Sequence, residues 1–511
     1  MPFLKSPEYF LCPIRKIVRQ TISGIILILY SVSCIANDIN EVAVKFDKIL
    51  CEILNLNTVT AQKMIDNGYK GSSGRTDMYL EYLNNWNMVI EVVLKEDQSK
   101  YEKYLVSLNE RLDLIDKNAD KSLPSHYILL AEIYAQAGMT QIFYRDYLSG
   151  LFKIMKANNY ARENLVKYPD CWLNNKLCGI LNVSLDQLSP FLKKMAGMIN
   201  LRGDPETGFK QLSRYLKSVE EYPGLKAEAL LYNGFALRMA KKDEMAFSLF
   251  NEKIVADEAP VLNLFLYSNI MYLTGRNEHA RTLLSELTES RFEVPFPFKD
   301  YLYGKSNLCC LNKEADKYLK QFMANSKSKN YKREVCSRLA DYYSIYSNSE
   351  QFSYYRKLIG TYSKATTDRD READIESKRP YDPYPGLLKA RYLVHGGYYN
   401  EASEILLSIN QGELTREAYR NEYSLLMAKV KFRTNQLNEA LMFCEKTIDK
   451  GRDCDEHYAA EAALLAGDIL AQKGSKEKAV SYYKLALEIK GQNDVYIENI
   501  EKSANNRLKN L

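Results

Sequence analysis

An all-α fold, built as a solenoid of stacked helical hairpins, is predicted by three features of this 511-residue sequence. Glycine and proline number only 23 and 14, so the chain carries few of the turn signals that β-hairpins need. Apolar residues recur at helical spacing along most of its length. One arrangement of small and large residues also repeats at intervals, which is typical of solenoids.

The repeated arrangement is centred on an alanine. Ala479 has Gly467 twelve residues before it and Tyr483 four residues after it. Small residues at the first two places let two antiparallel helices approach closely, and the large residue fills the space beside them. At Ala315 the small residue, Gly304, is one place out of register. The other equivalent sets are centred on Ala246, Ala280, Ala402 and Ala440.

This arrangement resembles the tetratricopeptide repeat, and the resemblance implies a tetratricopeptide-like helical-hairpin solenoid that winds into a superhelix. A broader resemblance rests on the runs Tyr168–Cys171, Cys178–Leu181 and Asn200–Leu212. These runs are similar to uncharacterised exported repeat proteins of Gram-negative bacteria and, more distantly, to eukaryotic inclusion-body-clearance repeat proteins. The broader resemblance implies a fold and export from the cytoplasm, and it does not imply an activity.

Residues 1–36 are predicted to be a signal peptide. Basic residues precede an apolar run from Ile22 to Ala36, which is short for a membrane span. Cleavage after Ala36 is favoured, with an uncleaved anchor or lipidation of Cys34 as the alternatives. The expected location is the periplasm or cell envelope of a Gram-negative bacterium, with membrane attachment only if the leader is retained or lipidated.

The rest of the chain divides into four predicted parts. Residues 37–200 are expected to form an N-terminal helical region with degenerate repeats, residues 201–363 the central tetratricopeptide-like repeats, and residues 386–511 the C-terminal repeats. Residues 364–385 combine dense mixed charge with three prolines. Because proline interrupts helices, we expect this segment to be an exposed elbow between two packed units.

The sequence contains no pattern typical of an enzyme. It has no nucleophile elbow, P-loop, dinucleotide-binding glycine set or zinc pattern, so a non-catalytic protein without cofactor or metal is expected. The formal net charge of +5 is small for this length, and we expect no nucleic-acid partner. Most cysteines lie in apolar helical patterns, which predicts buried free thiols.

Two polar turns are interpreted as structural. The acidic cluster at 453–457 precedes a predicted helix near Tyr458, and we expect it to cap that helix rather than to bind a metal. The turn at 203–205 is expected to open a helix whose first turn contains proline, rather than to bind phosphate.

The candidate binding surface lies on the first helices of the last three repeats. In the tetratricopeptide repeat, which this arrangement resembles, positions 9 and 13 of the repeat lie on its first helix and face the inner side of the superhelix. The predicted partner-binding residues at these positions are Arg391, His395, Lys429, Arg433, Asp468 and Gln472. Four of the six can be cationic and could hold a carboxylate or an acidic segment. The alternative is that they are solvated surface charges, paired for instance with Glu422.

The expected function is that of an exported scaffold or adaptor that binds a protein or peptide partner through a helical-repeat groove. The alternative is a cell-envelope protein that captures a glycan or another ligand. The chain has only 2 tryptophans, which disfavours recognition of stacked sugar rings and favours the scaffold.

Overall fold

The computed structural model describes residues 42–70, 74–118, 120–188, 190–362, 367–489 and 495–510. All regular secondary structure in these ranges is helical, without a β-strand, so the all-α prediction is confirmed. The predicted signal peptide lies outside the described residues. Within them, no helix is both long enough and apolar enough to cross a membrane.

The chain forms two compact units. Among the described residues, unit 1 spans 42–266 and 289–295, and unit 2 spans 267–288 and 296–510, with the boundary inside α12 (Val261–Leu273). The helices before α12 are α1 (Asp47–Leu54), α2 (Thr58–Lys70), α3 (Gly74–Lys95), α4 (Gln98–Asn118), α5 (Pro124–Phe143), α6 (Tyr147–Lys167), α7 (Leu173–Gln187), α8 (Pro190–Met198), α9 (Pro205–Ser218), α10 (Pro223–Met239) and α11 (Asp243–Lys253).

Unit 2 is built mainly from antiparallel helical hairpins. Its helices are α13 (Asn277–Glu286), α14 (Pro297–Cys309), α15 (Ala315–Asn325), α16 (Lys332–Ile345), α17 (Ser349–Ile359), α18 (Asp368–Ser377), α19 (Pro385–Gly396), α20 (Tyr399–Ser408), α21 (Glu417–Arg433), α22 (Leu437–Gly451), α23 (Tyr458–Gln472), α24 (Lys476–Glu488) and α25 (Val495–Asn510). The hairpins are α14–α15, α16–α17, α19–α20, α21–α22 and α23–α24. Helices α18 and α25 belong to none of these hairpins, and they pack on each other.

The alanines that define the repeated arrangement are buried, as their spacing predicts. Ala246, Ala280, Ala315, Ala402, Ala440 and Ala479 are fully inaccessible to solvent. The small residues of the first helices lie against the large residues of the second: a Cβ atom on Gly467 would lie 2.3 Å from the ring of Tyr483. Gly304 meets Leu319 in the same way, although its place in the sequence is one residue out of register.

Several hairpin turns require a left-handed backbone. Gly275, Gly397 and Gly474 have φ angles of 72°, 87° and 78°, a region that residues with a Cβ atom rarely adopt. Gly397 and Gly474 lie directly between the two helices of their hairpins, where the chain has to reverse within a few residues. The turns of α14–α15, α16–α17 and α21–α22 reach the same region with Leu311, Ser347 and Asn435, so glycine relieves the strain at only some of the hairpins.

Unit 1 contains a closed cluster of ionisable side chains from five helices. The Lys176 ammonium lies 3.2 Å from Oε1 of Glu132 and 3.1 Å from both carboxylate oxygens of Glu228. The hydroxyls of Tyr82 and Tyr215 donate to Glu228 over 2.8 and 2.7 Å. All five side chains are almost completely buried. Burial and the nearby Glu228 charge together raise the pKa of Glu132 to about 7, although Lys176 opposes this rise.

The turn at 203–205 opens a helix, as predicted. Asp204 accepts hydrogen bonds from the backbone N–H groups of Glu206 and Thr207 at 3.2 and 3.3 Å, and Pro205 is the first residue of α9. The cluster at 453–457 does not cap α23, which corrects the prediction. No side chain caps that helix, and the Glu456 carboxylate accepts from Tyr381 instead.

Residues 367–385 differ from the expected exposed elbow. Thr367 caps α18, and Asp370, only 2% exposed, accepts hydrogen bonds from the backbone N–H groups of Tyr331 and Glu334. The carboxylate thus caps the start of α16 from another helix, which holds α18 inside unit 2. The prolines do end the helical segment, since α19 begins only at Pro385. The division of the chain at residues 200, 363 and 385 stays a prediction.

All eight cysteines in the described ranges are free thiols, and five of them are buried. Burial raises the pKa of Cys171 and Cys178 to about 11 and that of Cys309, Cys336 and Cys444 to about 12. These thiols therefore stay protonated at neutral pH and act as small apolar side chains.

Replacing Gly467 with alanine should destabilise unit 2 by about 1–3 kcal/mol. The new methyl group would overlap the Tyr483 ring, and this overpacking outweighs the gain in helix propensity. The midpoint of urea unfolding, followed by circular dichroism, measures the effect. Gly197→Ala is the control, because no atom lies within 4 Å of its Cβ position. Equal midpoints for Gly467→Ala and the wild type would contradict close approach in this hairpin.

The closed cluster predicts that unit 1 loses stability as the pH rises. Burial raises the pKa of Glu132 to about 7 in the folded protein, whereas an unfolded glutamate titrates near about 4.3. Between these values the folded state binds more protons than the unfolded state, so the free energy of unfolding falls with rising pH, by on the order of 1–3 kcal/mol. Urea unfolding between pH 4.5 and 8 measures this decrease.

Glu132→Gln removes the titrating group and should flatten this pH dependence. Glu110→Gln, which changes an exposed glutamate on α4, should leave it as in the wild type. If the free energy of unfolding changed equally with pH in the wild type and in Glu132→Gln, the folded cluster would hold no extra proton.

Candidate functional site

Unit 2 contains a cavity of about 180 Å³, here called the inner cavity. Its walls come from the first helices of successive hairpins and from α18, with Tyr496 of α25 at one side. Its cationic lining residues are Lys305, Arg338, Arg369, Arg379, Arg391 and Lys429, and its acidic ones are Glu334, Glu372, Glu376, Glu422 and Glu461. The inner cavity is therefore dominated by charged groups of both signs.

Helical spacing places these charges on a common wall. Arg391 and His395 are four residues apart on α19, and Glu334 and Arg338 are four residues apart on α16, so each pair occupies one helix face. On α21, Glu422 and Lys429 are seven residues apart, which is two turns of the same face. The opposite faces of these helices carry the buried alanines and leucines of the hairpin seams.

Three of the six cations pair with carboxylates of a neighbouring helix. Arg391 donates from Nε and Nη2 to Oε1 of Glu422 at 2.8 and 2.5 Å. Lys429 of α21 lies 2.7 Å from Glu461 of α23. Ion pairs therefore link α21 to α19 on one side and to α23 on the other. These ion pairs stay partly open to the cavity, with about 30% of the Arg391 and Lys429 side chains exposed. They therefore connect successive repeats without being fully desolvated.

A second chain of pairs covers the deeper wall. Lys305 lies 2.9 Å from Glu334, and Arg338 approaches the same carboxylate at 3.6 Å. Burial alone would raise the pKa of Glu334, but the nearby cations lower it to about 2. The carboxylate therefore stays ionised at any physiological pH.

Both histidines of the inner cavity are neutral. Burial, followed by the positive charges of Arg369, Lys305 and Arg338, lowers the pKa of His395 to about 3. Burial lowers the pKa of His457 to about 4, against the opposing charge of Glu461. Around both rings the lining carries cations that are paired with carboxylates, such as Lys305 with Glu334 and Lys429 with Glu461.

Helices α18 and α25 close one side of the inner cavity. The Tyr496 hydroxyl donates to Glu376 of α18 at 2.9 Å, and its ring stacks on His457 with centroids 4.1 Å apart. Arg371 and Glu498 form an ion pair of 2.6 Å between the same two helices. The C-terminal helix thus belongs to the wall of the site.

The structure brings together three of the six predicted partner-binding residues. Arg391, His395 and Lys429 line the inner cavity, and Arg391 does pair with Glu422, as the alternative reading expected. Arg433 is exposed and outside the cavity. Asp468 pairs with Arg507 at 2.5 Å and accepts from Tyr483, while Gln472 is exposed. A role of any of the six in partner binding stays a prediction.

The sequence interpretation missed the residues that α18 contributes. Arg369, Glu372 and Glu376 lie in the charged run that was interpreted as an exposed elbow. The spacing of Thr367 and Asp370 was an available signal, because a threonine followed three residues later by an acid marks a helix start. Which side of that helix faces a cavity depends on contacts that the local sequence does not encode.

Residues 346–502 match the family model described as a tetratricopeptide repeat-like domain. The matched segment runs from the end of α16 into α25 and includes α18 and the last three hairpins. The hairpin solenoid is therefore a tetratricopeptide-like repeat fold, which bears out the fold prediction. No curated protein sequence matches the chain.

Among solved structures, the human IFIT1 dimer with PPP-AAAA is similar at 13% sequence identity, over 86% of this chain and 94% of that chain. The TM-score is 0.29, and at this level the similarity carries no argument about function. The predicted resemblance to exported bacterial and inclusion-body-clearance repeat proteins is not supported by these comparisons and stays a prediction.

Metal ligation has no geometric basis in the part of the chain that the structure describes. No group of three or more histidine, cysteine, aspartate or glutamate side chains there is arranged to hold a metal ion. The carboxylates of the inner cavity accept hydrogen bonds from arginine, lysine and tyrosine instead.

The neutral state of the two cavity histidines can be tested by NMR. The ring ¹³Cε1 shifts of His395 and His457 should stay constant from pH 8 down to about 5, because both pKa values lie near 3–4. The urea-unfolded protein is the control, in which histidine titrates near about 6.5. A midpoint above about 5.5 for His395 in the folded protein would refute the cationic environment described for it.

Proposed function

We propose that this protein is a non-catalytic, exported scaffold that binds a protein partner through the inner face of unit 2. The observation that carries the proposal is the charged inner cavity on the first helices of a tetratricopeptide-like solenoid. Solenoids of this kind present an extended concave surface, and they generally use it to hold a segment of another protein.

The partner segment is proposed to be acidic. Arg391 and Lys429 reach the cavity with partly exposed side chains, one repeat apart, and Arg433 adds an exposed cation one turn after Lys429. Carboxylates of a bound segment would form charge-assisted hydrogen bonds with these cations. Such bonds compete with Glu422 and Glu461, so they favour a segment with several acidic side chains over one with a single carboxylate.

The absence of catalysis is proposed from the chemistry of the lining. The carboxylates with lowered pKa, such as Glu334 and Glu376, are tied to arginine, lysine or tyrosine partners. The two histidines are neutral but have pKa values far below the range of an effective general base at pH 7. Cys309, on the helix that carries Lys305, is fully buried, and its pKa of about 12 keeps the thiol protonated at neutral pH.

Export and a location in the periplasm or cell envelope are proposed from the leader at 1–36. Free thiols are unusual in exported proteins, but five of the eight described ones are buried and so shielded from oxidation. N-terminal sequencing of the mature protein would show Asn37 as the first residue after cleavage.

The binding proposal predicts that the variant Arg391→Ala, Lys429→Ala, Arg433→Ala loses partner capture by about tenfold or more. Each charge-assisted hydrogen bond contributes about 1.5–3 kcal/mol, and about 1.4 kcal/mol corresponds to a factor of ten. Capture is measured by pull-down from envelope extract with quantitative mass spectrometry, in parallel with a glycan array. Circular dichroism checks that helicity is retained.

Two further variants make this test specific. Lys429→Ala with Arg433→Ala spares the Arg391–Glu422 bonds and should still weaken capture. Lys446→Ala, Lys450→Ala, Lys478→Ala removes three exposed cations from second helices and should have no effect. If the triple variant at Arg391, Lys429 and Arg433 and the double variant at Lys429 and Arg433 both capture the partner as the wild type does, the binding surface lies elsewhere. Specific binding to the glycan array without capture of a protein would favour the ligand-capture alternative.

A further inference from the structure

Helix α18 is an inserted helix that lies against the inner face of unit 2. It follows the hairpin α16–α17, precedes the hairpin α19–α20, and packs on α16, α17 and α25. Its side chains Arg369, Glu372 and Glu376 line the inner cavity together with the first helices of the hairpins. The chain thus places one of its own helices on the surface to which we assign a partner segment.

Two aspartates of α18 bind α16. Asp370 accepts hydrogen bonds from two backbone N–H groups at the start of α16, at 2.7 and 3.0 Å. Asp374, one turn later, pairs with Arg333 of the same helix. Because residues four apart share one helix face, a single side of α18 presents both carboxylates to α16.

Two glutamates extend the contact to other helices. Glu376 lies 3.5 Å from the Arg391 guanidinium of α19 and accepts a hydrogen bond from Tyr496 of α25 at 2.9 Å. Glu372, four residues before it, also lines the inner cavity. The inner face therefore receives α18 through carboxylates at helical spacing, and Arg391, which we assign to the partner, already contacts one of them.

Little apolar surface adds to these contacts. Among the described residues of α18, Ala373 is the only buried apolar side chain, and Ile375 is half-buried. The last three hairpins, by contrast, bury alanines and leucines in their seams. Because ion pairs that are partly open to water contribute little net stability, we expect α18 to be held less firmly than the helices beside it.

The segment after α18 is anchored independently. The Arg356 guanidinium of α17 donates to the backbone carbonyls of Ser377, Arg379 and Tyr381, at 3.3, 2.6 and 3.3 Å. Helix α17 thus fixes the chain between α18 and α19. Release of α18 would leave this anchor and the hairpins on both sides in place.

We propose that the inner face of unit 2 binds a partner helix with carboxylates four residues apart, and that α18 is an internal copy of this ligand. The partner helix displaces α18 when it binds, because both use Arg333 and Arg391. This rests on the proposed scaffold function, and it adds the form of the acidic partner segment and a control on its access. The unbound protein is autoinhibited by its own helix.

A synthetic, fluorescent peptide of residues 367–378 is the probe, and fluorescence anisotropy measures its affinity for the full chain. It should bind the variant Asp374→Asn, Glu376→Gln about tenfold tighter than the wild type, because the weakened internal copy leaves more of the inner face available. Glu401→Gln with Glu404→Gln is the matched control. It removes two exposed carboxylates of α20, and so makes the same change in charge, but it should leave the affinity unchanged.

Two comparisons locate the peptide. In the Asp374→Asn, Glu376→Gln variant, a peptide with glutamine at positions 372 and 376 should bind about tenfold more weakly than the acidic peptide. Adding Arg391→Ala to that variant should weaken binding of the acidic peptide to a similar extent. Lys446→Ala, which removes an exposed cation of α22, should have no effect.

Hydrogen exchange of the wild-type chain measures displacement directly. Saturating peptide should raise the exchange rates of residues 367–377, while the seam helices α21 and α22 keep theirs. The peptide carries ¹³C and ¹⁵N, so its fragments differ in mass from those of the chain. Without peptide, about 1 M NaCl should raise the same rates, because salt screens the ion pairs of α18.

Three results would overturn the internal copy. The first is equal affinity of the peptide for the wild type and for Asp374→Asn, Glu376→Gln. The second is unchanged exchange of residues 367–377 with peptide bound, and the third is no binding to either protein up to about 1 mM. Circular dichroism shows whether the variant is folded, and if it is not, exchange in the wild type decides.

The scaffold proposal is judged on separate data. Partner capture is measured with the Lys429→Ala, Arg433→Ala variant, which keeps α18 and its contacts. If capture falls in that variant while the peptide fails to bind or to displace α18, only the autoinhibition is overturned. If capture is unchanged, the scaffold proposal fails at this surface whatever the peptide does.

Discussion

The close approach of two helices within each hairpin is the constraint on which the rest of unit 2 depends. At Gly467 the backbone lies so near the Tyr483 ring that a single methyl group would overlap it, and Gly304 lies just as near Leu319. Because the seam occupies one face of each first helix, the charged residues of that helix have to lie on another face. Arg391, His395 and Lys429 reach a common cavity for this reason.

The two units use buried charge in different ways. In unit 1, Lys176, Glu132 and Glu228 are closed off from water and linked by tyrosine hydroxyls, so their protonation is coupled to folding. In unit 2, Arg391 and Lys429 are also paired, but their side chains remain partly open to the cavity. The first arrangement makes stability depend on pH, and the second leaves donors that a ligand or a partner can use.

Helices α18 and α25 turn a repeat surface into a bounded site. Neither belongs to a hairpin, yet α18 supplies Arg369 and Glu376 to the inner cavity, and α25 supplies Tyr496. Asp370 secures α18 by capping the start of α16, and the pair of Arg371 with Glu498 joins α18 to α25. These two helices therefore form a side wall of the inner cavity beside the surface of the repeats.

The hairpin architecture could be predicted from the sequence, because the spacing of small and large residues such as Gly467, Ala479 and Tyr483 is a local property of two consecutive helices. Helical periodicity, which is also local, placed Arg391 and His395 on one face of α19, and Lys429 lies on the first helix of the next hairpin. Only the tertiary structure decided that the charged run after Thr367 is held against α16 and lines a cavity, because Asp370 finds its hydrogen-bond donors 36 and 39 residues away. Charge alone indicates solvent exposure, and burial of a charged helix depends on partners that distant segments of the chain supply.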